Sequence, residues 1–204
     1  MLTESLKQIK IALTLLILLT AITGLIYPLV VTGLTQLFFP WQSNGSLIEY
    51  KGEIIGSALI GQSFTAPDSF WGRDSATSPF PYNAKSSTGS NRGPSNPAFL
   101  MAIKSRIQHL QKYNPKKDIL IPIDLVTASA SGLDPDISPL AAFYQAPRIV
   151  ATNHIAEKKI LALITDSIQK RDLCLLGEPR VNVLELNLAL DKLRSARGTE
   201  TTQP

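Results

Sequence analysis

The densest group of polar side chains lies in residues 124–148, with the sequence DLVTASASGLDPDISPLAAFYQAPR. Two hydroxyl groups in it, those of Ser129 and Ser131, could serve as the nucleophile of a hydrolase. A serine nucleophile needs a base beside it, and the histidine that follows this segment most closely is His154. The G-x-S-x-G pattern of a nucleophile elbow does not occur. The spacing therefore predicts no catalytic residue, and a hydrolase that uses Ser129 or Ser131 is kept as the alternative hypothesis.

Metal and phosphate chemistry receive no better support from the sequence. Asp134 and Asp136 could hold a cation, but no EF-hand pattern follows them. His109 and His154 are the only histidines, and neither has neighbours at zinc-ligand spacing. The phosphate-binding pattern G-x-x-x-x-G-K-[ST] does not occur. We therefore expect no metal ligand, and we interpret the Ser, Asp and Pro residues of 124–148 as builders of turns and helix caps.

Composition argues against two further classes of protein. The net charge is +4 over 204 residues, but the basic residues are scattered rather than clustered. A nucleic-acid-binding surface collects its basic residues on one face, so no nucleic-acid partner is expected. Cys174 is the only cysteine, so no internal disulfide can form. Because it lies in an apolar run, we predict that Cys174 is a small core residue.

The element that must position these residues is an uncharged stretch at residues 11–31, IALTLLILLTAITGLIYPLVV. A helix of this length would be about 30 Å long, which matches the hydrocarbon core of a bilayer. A cleaved signal peptide would have an apolar core of roughly 7–15 residues followed by an A-x-A-like site, and no such site follows here. We therefore predict a retained transmembrane helix. Pro28 and Pro40 are expected to bend it or end it.

Charge around this stretch predicts its orientation. Lys7 and Lys10 precede it, and no Lys or Arg occurs in residues 32–50. The positive-inside rule then places the N-terminus in the cytoplasm and the rest of the chain outside. The predicted organisation is a cytoplasmic N-terminus (1–10), a transmembrane helix (11–31), a connector (32–46), an extracytoplasmic α+β domain (47–194) and a flexible tail (195–204).

Three threonines (Thr14, Thr20 and Thr23) and Gly24 lie inside the predicted membrane helix, and Thr20, Thr23 and Gly24 are the candidate packing residues. In lipid, such residues let a second helix approach closely. One interpretation is a packing face for a helix of a partner subunit. The other is a plain anchor in contact with membrane lipid that tolerates threonine, and the sequence does not separate the two.

The remaining patterns predict a small α+β domain. Strands are expected at residues 47–64, with turns at Gly52, Gly56 and Gly61, and at residues 119–127. Residues 83–97 are expected to form a loop. Apolar spacing and capping residues predict helices that start directly after Asn96, Ser138 and Asn182. The helix after Ser138 is expected to be interrupted at Pro147. A longer helical pattern follows at residues 149–170, with a break near Asn153.

Several segments together resemble the C subunit of the bacterial Kdp-type potassium-transporting P-type ATPase. The most specific are TASASGLDP at 127–135 and VNVLELNLALD at 181–191, and the similarity covers most of the chain. Asp74 departs from the proline expected in this family, and residues 152–154 are less basic than usual. The residues that carry the resemblance are Ser90, Asn91, Ser95, Asn96, Pro97, Asp124, Thr127, Ser129, Ser131, Gly132, Asp134, Pro135, Gln145, Arg148, Asn182 and Asn187.

The resemblance implies an accessory, non-catalytic subunit of a high-affinity potassium pump in the bacterial inner membrane. Its partners would be a potassium-channel-like subunit and a P-type subunit that hydrolyses ATP. ATP, magnesium and potassium would belong to the complex rather than to this chain. The resemblance also implies a catalytic chaperone that raises the ATP affinity of the ATP-hydrolysing subunit. A membrane-anchored extracytoplasmic hydrolase and a pilin-like assembly protein are the competing hypotheses.

Overall fold

The structure is a computed structural model that describes residues 2–116 and 118–200, with the backbone alone for residues 2 and 197–200. It divides into two compact units, one up to Ile55 and one from Gly56 onward. Each unit is described by itself below.

The first unit is dominated by one long helix over residues 2–38. It comprises α1 (Leu2–Ala21), a π-helical turn (Ile22–Ile26) and α2 (Tyr27–Phe38). The part Thr3–Phe38 is long and apolar enough to cross a membrane, and it is the one such helix among the described residues. The helix therefore extends beyond the predicted bounds 11–31 at both ends.

Pro28 does not end the helix, although its ring must avoid the carbonyl group four residues earlier. The π turn directly precedes it, and there the Tyr27 N–H donates to the carbonyl of Ile22, five residues back. This wider hydrogen bonding accommodates the proline within a continuous helix. The helix stops at Phe38, before Pro40, as predicted.

The predicted connector is also ordered. It contains a short helix, α3 (Pro40–Ser43), which is followed by a hairpin of β1 (Leu47–Tyr50) and β2 (Glu53–Ser57). Lys51 and Gly52 join the two strands with φ angles of 55° and 84°. Positive φ at both central residues is the pattern of a type I′ turn, so the turn predicted at Gly52 is confirmed.

The second unit is an α+β domain built on a small antiparallel sheet. Its strands are β3 (Asp136–Ile137), β4 (Ile168–Gln169) and β5 (Arg180–Asn182), in the order β3-β5-β4. Ile137 and Ile168 both pair with Val181, which is fully buried. The α+β class predicted from the sequence is confirmed.

Within the described residues, five helices complete the domain: α4 (Pro97–Tyr113), α5 (Ile123–Val126), α6 (Pro139–Asn153), α7 (Glu157–Asp166) and α8 (Val183–Glu200). Helix α7 packs against both α6 and α8. The fully buried apolar side chains that these helices contribute to the core include Ile149, Ile160, Ile164, Leu186 and Leu190.

Two predicted elements are wrong. Residues 119–127 contain the short helix α5 instead of a strand, with Pro122 before its first residue, because a short apolar run cannot distinguish strand from helix. Pro147 does not interrupt α6, which continues to Asn153. Residues on both sides of Pro147, including Gln145 and Ile149, are buried, and this packing offsets the hydrogen bond that the proline removes.

Two further expectations are corrected at the end of the domain. Cys174 is exposed rather than a core residue, because it lies in the connection between β4 and β5, away from the helices that form the core. Helix α8 continues to Glu200 through much of the predicted tail, and residues 201–204 lie outside the described residues.

Candidate functional site

Residues 67–73 lie outside the helices and strands, and the middle of this segment enters the interior of the domain; it is called the clamped segment below. It contains Phe70 and Trp71, which are 0% and 7% exposed. Buried backbone must have hydrogen-bond partners for its N–H and C=O groups. Two side-chain amides provide them.

The side-chain amide of Asn187 on α8 both accepts a hydrogen bond from the backbone of Phe70 and donates one to it. Its Oδ1 accepts from the Phe70 N–H at 2.7 Å, and its Nδ2 donates to the Phe70 carbonyl at 2.9 Å. Gln145 on α6 does the same for Trp71, with distances of 2.8 and 3.0 Å. The two amides thus supply the backbone hydrogen-bond partners that a neighbouring β-strand would provide to a buried extended segment.

Arg148 reinforces this arrangement from the next turn of α6. It donates to the carbonyl of Ser69 at 2.9 Å and to Oε1 of Gln145 at 2.6 Å, and its guanidinium lies 3.7 Å from the centre of the Trp71 ring. Burial lowers the pKa of Arg148 to about 9, and the charge of Asp68 opposes this shift. Arg148 therefore remains charged at neutral pH and holds the clamped segment through charge-assisted hydrogen bonds.

The two candidate nucleophiles are turn residues. Oγ of Ser129 accepts from the N–H of Gly132 at 2.9 Å, and Oγ of Ser131 accepts from the N–H of Leu133 at 3.1 Å. Gly132 has a φ of 69°, and a Cβ atom there would lie 2.6 Å from the carbonyl oxygen of Thr88. The signature TASASG therefore encodes a tight turn rather than a nucleophile beside a base.

The candidate acidic residues are ion-paired or serve as caps. Asp134 pairs with Arg73 at 3.0 Å, and Asp136 pairs with Arg180 at 3.2 Å. Burial raises the pKa of Asp136, and the negative charge of Asp134 raises it further, whereas the positive charge of Arg180 lowers it. Oδ2 of Asp124 accepts from the N–H of Ser138 at 2.8 Å. Among the described residues, no group of three or more His, Cys, Asp or Glu side chains could hold a metal ion.

A surface cavity of about 400 Å³ lies beside this network and is lined in part by Arg73, Asp74, Tyr82 and Arg106. The hydroxyl group of Tyr82 donates to the carbonyl of Arg73. Burial raises the pKa of Tyr82 to about 12, so the hydroxyl stays protonated at physiological pH. Arg73, Tyr82 and Arg106 were not among the site residues predicted from the sequence, although the first two belong to the patterns FWGR and PYN.

The two departures from the family pattern have structural roles here. Asp74 forms an ion pair with Arg106, and its carbonyl accepts from the N–H of Ser129 at 3.1 Å. Asn153 donates to the carbonyl of Asp68 at 2.9 Å, so it supports the clamped segment as well. His154 ends α6 in the left-handed conformation, with a φ of 52°.

The remaining signature residues lie on the surface, cap helices or make single hydrogen bonds with the backbone. Residues 90–97 are exposed, and Asn96 caps α4 by accepting from the N–H of Ala98 at 2.9 Å. Asn182 caps α8 through the N–H of Glu185 at 3.1 Å. Oγ1 of Thr127 donates to the carbonyl of Ile123 at 2.8 Å, and the carbonyl of Pro135 accepts from the N–H of Val183 at 3.0 Å.

The candidate packing residues of the membrane helix lie around the π turn. Thr23 and Gly24 belong to this turn, and Thr20 lies just before it. The hydroxyl group of Thr23 donates back to the carbonyl of Leu19 at 2.7 Å. A Cβ atom added at Gly24 would meet only the Thr20 side chain, at 3.9 Å, so this position accepts a larger side chain within the chain itself.

Among the described residues, one helix is long and apolar enough to span a membrane, and the signature residues of the domain build turns, caps and clamps, which is an arrangement typical of a membrane-anchored accessory protein. Residues 9–192 match the family model described as K+-transporting ATPase, c chain (KdpC). The chain therefore belongs to the KdpC family.

Curated proteins named Potassium-transporting ATPase KdpC subunit are similar along most of this chain. The protein from Methylococcus capsulatus is 54% identical over 188 residues, which cover 92% of this chain and 99% of the relative. The protein from Herpetosiphon aurantiacus is 53% identical over 184 residues, which cover 90% and 95% of the two chains. The protein from Variovorax paradoxus is 53% identical over 189 residues, which cover 93% of this chain and 98% of the relative.

Proposed function

We propose that this chain is the accessory, non-catalytic c subunit of a potassium-transporting ATPase, with its domain on the outer side of a bacterial inner membrane. In this proposal the domain contacts the potassium-channel-like subunit near its outer mouth and stabilises the complex. ATP, magnesium and potassium are bound by the partner subunits. The name of the relatives supports membership in a potassium-transporting ATPase. The positions of Lys7 and Lys10 before the helix support the proposed orientation.

One observation carries the assembly role: the signature residues include a buried group and a separate group on one exposed loop. Gln145, Arg148 and Asn187 are buried, and their hydrogen bonds stay within the domain. Residues 90–97 are exposed, while the same loop is held to the domain by Ser131, whose carbonyl accepts from the Thr88 N–H at 3.0 Å. A polar loop fixed on a rigid scaffold is suited to recognising a partner.

Other roles for the domain have less support. Asp134 and Asp136 are ion-paired with arginines, and charges in physiological salt are screened within about 8 Å, so steering of potassium is secondary to assembly. Hydrolysis at Ser129 or Ser131 would need a base, whereas both hydroxyl groups accept backbone hydrogen bonds. An effect on ATP affinity would pass through the membrane helix, because the proposed orientation separates the domain from cytoplasmic ATP.

Removing the side chains of the exposed loop tests the assembly role. We expect the triple variant Ser90→Ala, Asn91→Gly, Arg92→Ala to lower co-purification of the other pump subunits about tenfold, which corresponds to ~1.4 kcal/mol. Glycine is chosen at position 91 because Asn91 has a φ of 51°. Growth under potassium limitation should fall in parallel, while the melting temperature of the chain stays unchanged.

The matched control is Lys158→Ala with Lys159→Ala, which removes two exposed side chains from α7. This control should leave both complex recovery and growth unchanged. Normal recovery of the complex with the triple loop variant would contradict the proposal that this loop is the recognition surface.

The orientation can be tested with the native cysteine, because Cys174 is exposed. In intact cells that produce this chain without the other subunits, we expect a membrane-impermeant thiol reagent to label it. The control is Cys174→Ser, which should give no signal. Labelling that appears only after lysis would place the domain in the cytoplasm.

The proposed packing of the membrane helix on a partner helix predicts the effect of Gly24→Leu. We expect this change to reduce co-purification at least about fivefold, or ~1 kcal/mol, because a large side chain prevents close approach. The matched control is Gly33→Leu in the same helix, where a Cβ atom has no neighbour within 4 Å. Equal recovery of the complex with both variants would mean that the helix acts only as a membrane anchor and does not pack on a partner helix through Gly24.

A further inference from the structure

The connection between β4 and β5 is a hairpin arm whose end carries a group of apolar side chains. Gln169 pairs with Arg180, so residues 170–179 connect the strands. Inside this connection, Asp172 and Leu176 exchange two backbone hydrogen bonds, each of 2.9 Å. The residues enclosed by them, with Leu176 itself, are called the apolar tip, that is, residues 173–176 with the sequence LCLL.

The side chains of the apolar tip point into solvent. Leu173 is 89% exposed, Leu175 is 78% exposed and Leu176 is 58% exposed, and Cys174 between them is exposed as well. Single exposed leucines are common on protein surfaces, but contiguous apolar groups mark interaction sites. The arm therefore presents an apolar surface that the described part of this chain leaves uncovered.

The backbone of the apolar tip has an unusual conformation. Leu173 and Cys174 have φ angles of 52° and 60°, and two consecutive residues with side chains rarely adopt this left-handed conformation. At the base of the arm, the guanidinium of Arg171 contacts both carboxylate oxygens of Glu178, at 2.7 and 2.6 Å. Strained backbone is retained where the surroundings enforce it and often has a functional reason.

We propose that the apolar tip inserts into an aliphatic pocket on the extracytoplasmic surface of another subunit of the same pump. This inference rests on the proposed function, because it names a contact that would stabilise the complex. A single membrane helix gives little specificity for a partner, and a second contact made by a tethered domain benefits from a high effective concentration.

The observations favour a protein pocket over the bilayer as the occupant. A fluid lipid surface does not require a fixed side-chain arrangement, whereas a shaped pocket does. The charges that flank the tip are mixed: Lys170 and Arg171 on one side are accompanied by Asp172 and by Glu178, which is ion-paired with Arg171. A lipid-binding segment would carry a cluster of Lys and Arg beside its apolar residues instead.

The native cysteine makes this contact measurable in the full chain. We expect a polar maleimide to react with Cys174 about tenfold more slowly in the assembled pump than in the isolated subunit in a lipid nanodisc, because burial makes a thiol inert. The matched control is Lys158→Cys on a Cys174→Ser background, an exposed position on α7 that should react equally in both samples. Equal reactivity of Cys174 in both samples would overturn the proposal. Slow reaction of Cys174 in the nanodisc sample would overturn the proposal, because it would show that the apolar tip is buried in lipid.

A second measurement uses the double variant Leu173→Ser, Leu175→Ser. Because both side chains are exposed, its melting temperature should match that of the unchanged chain, while recovery of the complex falls at least about threefold. The matched control is Leu120→Ser, which alters a side chain that is 92% exposed in a different loop. Unchanged recovery with the double variant, or an equal loss with Leu120→Ser, would overturn the proposal. A pump that assembles fully without this chain would instead overturn the proposed function.

Discussion

Replacing Leu186 or Leu190 by alanine is expected to lower the free energy of unfolding of the domain by ~2–5 kcal/mol, as large-to-small changes in a packed core do. Both side chains are 0% exposed. They lie on α8, which packs against α7, and belong to the same apolar cluster as Ile160 and Ile164. Each substitution would remove apolar contacts and leave a cavity that the surrounding helices fill only in part.

A urea titration of the full chain in detergent measures this effect. Trp71 is buried in the domain core, so its fluorescence on a Trp41→Phe background reports unfolding of the domain. The control is Glu185→Ala, an exposed position in the first turn of α8. Asp191→Ala, which removes a partly exposed ion pair with Arg194, should cost ~0–1 kcal/mol. Equal losses in the leucine and acidic variants would mean that α8 faces the core differently.

The second large effect is expected from Gln145→Met, which keeps the length of the side chain but removes its amide. The N–H and C=O groups of Trp71 would then lack their partners. Each unsatisfied buried polar group costs ~1–3 kcal/mol, so we expect a total loss of ~2–6 kcal/mol for the two groups. Arg148 would also lose one acceptor, because it donates to Gln145 at 2.6 Å.

The same urea titration distinguishes this clamp from ordinary core packing. Gln108→Met on α4 makes the same chemical change at an exposed position, and surface changes of this kind stay within ~0.5 kcal/mol. We expect the Gln145 variant to lose complex assembly because the clamped segment loosens. A stability of Gln145→Met equal to that of Gln108→Met would show that the amide does not hold the segment.

Local patterns were enough to predict the elements that depend on neighbouring residues. The uncharged stretch predicted a long apolar helix, and the helix that could cross a membrane is longer than the stretch itself. The caps at Asn96, Ser138 and Asn182 are confirmed by their hydrogen bonds to backbone N–H groups two or three residues ahead. These features are readable because a side chain and the backbone group that it binds are close in sequence.

The clamp could not be predicted in this way, because its contacts join residues far apart in sequence. Gln145 binds Trp71 across 74 positions, and Asn187 binds Phe70 across 117. The resemblance identified both amides as signature residues without giving their role. Local patterns also misplaced Cys174, since an apolar run looks the same in a core and on an exposed arm.

The π turn at Ile22–Ile26 has a consequence for how the faces of this helix are compared. A turn with hydrogen bonds five residues apart accommodates one residue more than an α-helical turn does. A helical wheel drawn with one phase over residues 2–38 is therefore out of step by about one residue, or roughly 100°, beyond Ile26. A stripe of side chains that faces one neighbour along α1 continues toward a different neighbour along α2. In this continuous helix, the side chains that follow Ile26 therefore lie on a face about 100° away from the one that a single wheel would assign to them.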